Sequence, residues 1–579
     1  MAAILDRNNH WARLFTVLAA LLAVAVASAS LAAVPAAPRA PSGSTAVIVR
    51  GEAGALAQLE RSTVLVGGTV VRELGIINGF SAKIPTARLS EFTSLPGVLT
   101  VTPDAMGTFH SLYDPTADPH SLANTAASIG ANAAWSQGIT GAGVDVAVID
   151  SGVTPVQGLA GAGKIVNGPD ISFDSATPSV QYLDAFGHGT FMAGLIAGKD
   201  AGADVTNPGT SYLGIAPDAR IVNVKVGSAS GAVDVSQVIA AIGWVVQHRN
   251  DHGINIRVLN LSLGTDSSQG YQNDPLAFAA EAAWNSGIVV VAAAGNRGAA
   301  GGRLDDPASD PNIIAVGAAA TTGGSSILGA LAASFSSLGS GTRNPDLLAP
   351  GTHLQGLRVP GSYIDQRFPG AALGDRFFRG SGTSEAAAIT SGAAALILQK
   401  RPSLTPGQVK AILIQTASPL PGIGAQAQGA GILQAEAGID DALAVPGEWH
   451  KVLGSTGSGS LEKARGSKHI TIGGVALTGE EDVHGHSFSG AQVATQEESS
   501  QAWSDGGWNG TTWSGGNWDG TTWSGTTWSG TTWSGTTWSG TTWSGTTWSG
   551  TTWSGTTWSG TTWSGTTWSG EIWASYTWE

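Results

Sequence analysis

VDVAVIDSGV, residues Val144 to Val153, is an apolar run that ends in a carboxylate and is then broken by small residues. Four later runs have the same character: Ile221 to Val226, Val258 to Leu263, Ile288 to Ala293 and Ile313 to Val316. Helix-length segments such as Val235 to His248 separate them. A strand that is apolar on both faces needs cover on both faces, which is the condition of a parallel sheet between helices. Residues 126–445 therefore read as one α/β domain of three layers around a mostly parallel sheet. In such sheets, sites gather at the carboxyl ends of strands. Asp150, the tripeptide Ser262-Leu263-Gly264 and Asn296 all fall there.

Two further stretches bring chemistry to those ends. GHGTFMAGLIAG (187–198) holds His188, and GSGTSEAAAITSGAAAL (380–396) holds Ser384. A serine hydroxyl is a poor nucleophile until a base takes its proton. His188 suits that role, with Asp150 to orient the ring and stabilise the imidazolium. Ser384 opens a helical run, where its own backbone N–H and the helix dipole favour a developing oxyanion. Asn296, on a turn just past the VVVAAAGN strand, offers a second oxyanion donor.

The order Asp, His, Ser resembles that of the subtilases and differs from other triad-bearing folds. The likeness runs from about Thr140 to Ala417 and includes YLGIAPDARIVNVKV, VLNLSLG, DDPASDPNIIAVGA and DLLAPG in the family's order. It implies a subtilisin-like fold, a peptide-bond substrate and the roles just given to Asp150, His188, Asn296 and Ser384. It also implies that Ser262, Leu263 and Gly264 run alongside the substrate, backing onto a pocket with Ala292, Ala293, Ala294 and Gly295. Small residues there lead us to expect an open apolar pocket for bulky uncharged side chains. The chemistry needs no cofactor. Subtilases often carry structural calcium, and Asp170 with Asp174, or Asp305 with Asp306, have suitable oxygens. Two departures stand out. Ala388 replaces the family's Pro, and Glu385 follows the nucleophile where Met is common. A carboxylate at Glu385 opposes an oxyanion unless it points to solvent or meets a cation, for which Arg379 is the nearest candidate in sequence.

The chain's other parts frame that domain. Arg7 and Arg13 precede an apolar run ending at Ala27-Ser28-Ala29, so residues 1–29 read as a signal peptide and the protein as secreted. Residues 45–109 show a β-α-β-β-α-β pattern, with Thr86 as the cap of the second helix. That layout resembles the inhibitory propeptide of the same enzymes, an intramolecular partner of the protease. Residues 446–500, rich in Gly, Ser, Glu and His, read as a linker. His484 and His486 beside Glu480, Glu481 and Asp482 fit a solvated cluster better than a zinc site.

Residues 501–579 form a tail in which Trp recurs every five positions from Trp503 to Trp578, sixteen times. A solenoid, a flexible string presenting rings to sugars or wall polymers, and a passive spacer all fit that period, with cell-surface contact favoured. The chain has no Cys, 42 acidic residues against 28 Lys and Arg, and no basic stripe, which excludes disulfide staples and disfavours nucleic acid as a partner. The leading expectation is a secreted serine endopeptidase made as a zymogen. The alternative is a catalytically impaired surface or adhesion protein on the same scaffold, with Glu385 as the sign of decay.

Overall fold

The computed structural model describes residues 44–104, 113–440, 444, 446–447, 452–472, 474–504 and 507–509, with residue pairs 511–512, 517–518, 521–522, 527–528, 531–532 and 577–578. The signal-peptide reading, residues 105–112 and most of the Trp repeat lie outside them. The chain divides into two units, up to His110 and from Ser111 onward.

The first unit is a four-stranded antiparallel sheet. Strands β1 (Ser44–Gly51), β2 (Thr69–Leu74), β3 (Gly79–Pro85) and β4 (Val98–Pro103) take the order β2-β3-β1-β4. Helices Leu56–Leu65 and Leu89–Thr93 complete the expected alternation. Val47, Val49, Phe80, Ala82 and Ile84 alternate into one core with Leu59 and Phe92 from the helices. The cap assigned to Thr86 is not observed: Thr86 starts a single 3₁₀ turn (Thr86–Arg88), and its hydroxyl meets that of Thr45 at 2.9 Å.

The second unit is built on an eight-stranded sheet. Its strands are β5 (Asp145–Asp150), β6 (Ile165–Asp170), β7 (Arg220–Lys225), β8 (Ile256–Leu261), β9 (Val289–Ala293), β10 (Ile314–Ala320), β11 (Leu331–Ala332) and β12 (Leu347–Pro350). The order is β11-β10-β9-β8-β5-β7-β6, with β12 on β10, and every pairing is parallel except that of β11. All six residues of β5 and all five of β9 are buried. Because successive side chains point to opposite faces, both faces must be covered. Helices Val235–His248, Pro275–Asn285, His188–Ala197 and Thr383–Lys400 contribute to that cover. The fold is thus α/β with a mostly parallel sheet, as the apolar runs require.

The linker reading of residues 446–500 does not hold for the described part. Leu461, Ala464, Phe488 and Val493 join the main core, and so do Trp503 and Trp508 of the tail. Arg465, almost wholly buried, reaches Asp234 at 2.7 Å, the residue that caps helix Val235–His248. Trp503 donates its indole N–H to the Ala240 carbonyl at 2.7 Å. The polar composition misled because this segment is held by a few long-range anchors rather than by a periodic apolar face.

The first repeats fold into two-residue strands. Trp503–Ser504, Gly507–Trp508 and Thr511–Thr512 pair antiparallel, with Trp503 opposite Trp508 and Trp508 opposite Thr511. Asn517–Trp518 with Thr521–Thr522, and Thr527–Trp528 with Thr531–Thr532, repeat the arrangement. Near the other end, Thr577–Trp578 pairs with Ser381 and Gly380.

Candidate active site

Asp150 is the last residue of β5, and His188 is the first of helix His188–Ala197. The two are buried and joined: His188 Nδ1 lies 2.9 Å from both carboxyl oxygens of Asp150. Such closeness needs a bare backbone beside it. A Cβ on Gly189 would lie 2.2 Å from the Gly152 carbonyl and 3.0 Å from Asp150 Oδ1. Burial alone would depress the imidazole. The Asp150 carboxylate, by charge and hydrogen bond, outweighs it, with Glu385 and Asp184 adding, and the net shift is upward.

Asp184 was not among the residues singled out in the sequence. Its Oδ1 accepts from the Gly187 N–H at 2.6 Å and the Ser151 hydroxyl at 2.8 Å, and its Oδ2 accepts from the Thr190 N–H at 2.7 Å. Ser151 in turn touches Asp150 Oδ1 and receives the Gly189 N–H at 3.0 Å. Asp184 therefore fastens the start of the histidine helix to the end of β5. The sequence signal was its place four residues before His188, in DAFGH.

Ser384 lies in the first turn of helix Thr383–Lys400, with its hydroxyl donating to the Ser262 carbonyl at 3.0 Å. Below it, Ser262 Oγ donates to the Ser384 carbonyl at 3.0 Å, Asn260 Nδ2 to Ser262 Oγ at 2.9 Å, and Ser391 Oγ to Asn260 Oδ1 at 2.9 Å. This ladder pins the helix to the end of β8. Asn296, just beyond β9, accepts on Oδ1 from both the N–H and the hydroxyl of Thr383, at 2.9 and 3.0 Å. With the oxygen so engaged, the amide N–H₂ is the end left for another acceptor.

The expected pocket segments converge, but not as an open apolar slot. Asp305 lies between them: a Cβ on Gly295 would stand 2.3 Å from its Oδ2, and one on Gly264 would stand 3.0 Å from its Cβ. Gly295 has φ +103°, so a side chain there is excluded on both counts. Burial pushes the Asp305 carboxyl up to about 6, while Arg297, bonded to it at 2.7 Å, pulls the other way. The walls Ala292, Ala293, Ala294 and Leu263 are buried and apolar. A neutralised ion pair therefore adjoins them.

Three of the four carboxylates considered for calcium are engaged by protein partners. Asp174 faces the buried Lys225 at 3.6 Å, Asp170 accepts from Ser172 and Tyr182, and Asp305 holds Arg297. Asp306 is buried beside Asp274, and burial raises both. Among the described residues no group of three or more His, Asp and Glu side chains is arranged to hold a metal. Asp482 receives the backbone N–H groups of His484 and His486 and the side chain of Asn509, a structural role.

Arg379 does not reach Glu385. Its guanidinium bonds Asp118 at 2.8 Å and the His353 carbonyl at 2.7 Å, pointing away on the strand before helix Thr383–Lys400. Glu385 is instead fully buried.

Residues 141–439 match the sequence profile described as the Subtilase family. Serine protease AprX of Bacillus subtilis is 37% identical over 283 residues, which are 48% of this chain and 62% of that protein. Subtilisin Savinase of Lederbergia lenta is 35% identical over 309 residues, 53% of this chain and 94% of its own length. Subtilisin NAT of Bacillus subtilis subsp. natto is 30% identical over 357 residues, 61% of this chain and 78% of that protein. The chain thus spans less than two thirds of AprX but most of the two subtilisins.

Proposed function

The chain belongs to the subtilase family of serine endopeptidases, and on that premise we propose that it is a secreted protease, made as a zymogen, that cuts peptide bonds through an acyl-enzyme on Ser384. The observation that carries the reading is the buried Asp150–His188 pair set beside a helix whose first turn presents Ser384. An impaired scaffold has no evident use for so costly an arrangement, since buried charges are expensive to hold.

In the proposed reaction the Ser384 hydroxyl turns from the Ser262 carbonyl toward His188. His188 Nε2 takes its proton as Oγ bonds the substrate carbonyl carbon. The oxyanion is met by the Ser384 N–H and the Asn296 amide. The imidazolium then gives its proton to the leaving amine as the C–N bond breaks, and water repeats the sequence to release the acid. Ser262 to Gly264 align the substrate as an added strand. With Asp305 neutralised by Arg297, the adjoining pocket favours uncharged side chains before the cut.

Residues 45–109 act as the propeptide, and cleavage falls between Asp104 and Thr125. Support for export is the 1–29 sequence; among the described residues no helix is long and apolar enough to cross a membrane. The Trp repeat attaches the enzyme to a glycan-bearing surface by ring stacking. The test is maturation. Wild type should lose residues 45–109, and Ser384→Ala should accumulate at full pro-length without hydrolysing casein. Active enzyme that retains Thr45 would refute the propeptide role, and casein hydrolysis by Ser384→Ala would refute the nucleophile.

A further inference from the structure

Glu385 sits where neither of the two expected reliefs reaches it. It lies in the first turn of helix Thr383–Lys400, immediately after the nucleophile, and is shut off from solvent. Among the described residues neither carboxyl oxygen has a hydrogen-bond donor on another residue; its own backbone N–H gives the charged form some help. The helix packs closely on the histidine helix, where a Cβ on Gly392 would stand 3.4 Å from the Ile196 carbonyl. The charged groups whose fields reach Glu385 are His188, from that neighbouring helix, and Asp150, at the end of β5. Asp150 opposes a second negative charge. His188, once protonated, favours it.

A buried carboxylate with no donor and no cation reverts to the neutral acid. Among the described residues one cation can form here, the His188 imidazolium. We propose that Glu385 is a positioning residue that shares a proton with His188: it becomes a carboxylate when His188 becomes imidazolium, and so sets the pH at which His188 is free to accept the proton of Ser384. This rests on the reading of Asp150, His188 and Ser384 as the catalytic triad.

The sign follows from charge. The neutral pair and the ion pair carry the same net charge, so one proton is distributed between the two side chains. A Glu385 carboxylate holds that proton on His188 to higher pH, in the same direction as Asp150 does. Burial pushes the Glu385 carboxyl up to about 7, with His188 pulling it down, which places it in the range where imidazoles titrate. Asp184 also acts on His188, but its bonds to Ser151, Gly187 and Thr190 do not involve Glu385. Removing the carboxyl leaves the imidazolium with Asp150 and Asp184, and His188 becomes a free base at lower pH.

The experiment compares mature wild type with Glu385→Gln and Glu385→Met from about pH 5 to about pH 10. Two quantities are followed: kcat/KM on a peptide nitroanilide, and the rate of labelling by a fluorophosphonate. Glutamine keeps the shape, and methionine suits a buried site, so the result does not hang on one variant folding. The ascending limb should move down by about one pH unit in both variants. One unit below the wild-type midpoint, the variants should then be about fivefold more reactive relative to their own plateaus. A general loss of packing lowers the plateau without moving the limb. If wild type labels but its limb coincides with those of the variants, the Glu385 proposal falls and the triad stands. If wild type labels at no pH, the triad reading falls, and this proposal with it.

Discussion

Asn296 and Thr383 are tied twice: Asn296 Oδ1 accepts the backbone N–H and the hydroxyl of Thr383, at 2.9 and 3.0 Å. Thr383 Oγ1 also accepts the Gly295 N–H at 3.1 Å. The turn after β9 and the first turn of helix Thr383–Lys400 are therefore one unit, and the amide N–H₂ of Asn296 is aimed by what holds its oxygen. Asn296→Ala should lower kcat by about 10²–10³-fold, the scale for removing one oxyanion donor, with little change in KM. Thr383→Val should lower kcat by a smaller factor, about tenfold, since it loosens the aim without removing the donor. Steady-state kinetics on a peptide substrate decide. A rise in KM at constant kcat would make Asn296 a binding residue.

Arg297 neutralises a carboxyl that the sequence reading of the pocket had not placed there. Arg297→Ala should free Asp305 to meet a positive side chain before the cut. Losing Arg297 also raises the Asp305 carboxyl above about 6, so the ratio of kcat/KM for Lys or Arg over Phe at that position should rise at least about tenfold at alkaline pH, where the freed carboxyl is charged. Matched peptide nitroanilides measure it. An unchanged ratio would mean that Asp305 does not face the substrate.

Arg465 and Asp234 form an ion pair with exposures of 1% and 2%. Removing one partner strands a buried charge, so Arg465→Ala should destabilise the domain by about 3–5 kcal/mol. Chemical denaturation of the mature enzyme would show it. A midpoint equal to wild type would mean that the 452–509 segment is not docked in solution.

How far these features could be read from sequence depends on the range of the contacts. β5, β7, β8, β9 and β10 were visible because each is buried on both faces, and helix Val235–His248 because it is a helix-length segment between two such runs. Asp150, His188 and Ser384 were visible because each marks the end of such an element. Asp184 was not, and Asp305 was read only as a candidate calcium ligand, because their roles arise from chain segments far apart coming close: Ser151 for the first, Gly264 for the second. The docked segment was missed for the same reason. Arg465 and Phe488 are scattered through polar sequence, and the period of five that holds Trp503 and Trp508 matches neither a helix face nor a strand face, so nothing local announces that they are buried.

The tail can be separated from the enzyme only beyond the strands that are packed on it. Trp503 and Trp508 are core residues, so removal from Trp503 onward should cost stability. Asn517–Trp518 also lies against β6, so the cut falls after Thr522: removal of residues 523–579 should spare peptide hydrolysis, because the Thr577–Trp578 pairing spans just two residues of a strand already paired with Leu354–Leu357. The same truncation should lower retention on the cell surface. Cell fractionation with a peptide assay checks both. Equal release of the two forms would remove the attachment role, and lost hydrolysis would show that the repeat supports the catalytic fold.

The most direct test of the account is where a fluorophosphonate lands. Mature protein should be labelled at one position, and mass mapping of the digest should place the adduct on Ser384, with no labelling of Ser384→Ala or His188→Ala. An adduct on another residue, or labelling that survives in Ser384→Ala, would contradict the central claim that Ser384 is the nucleophile His188 activates.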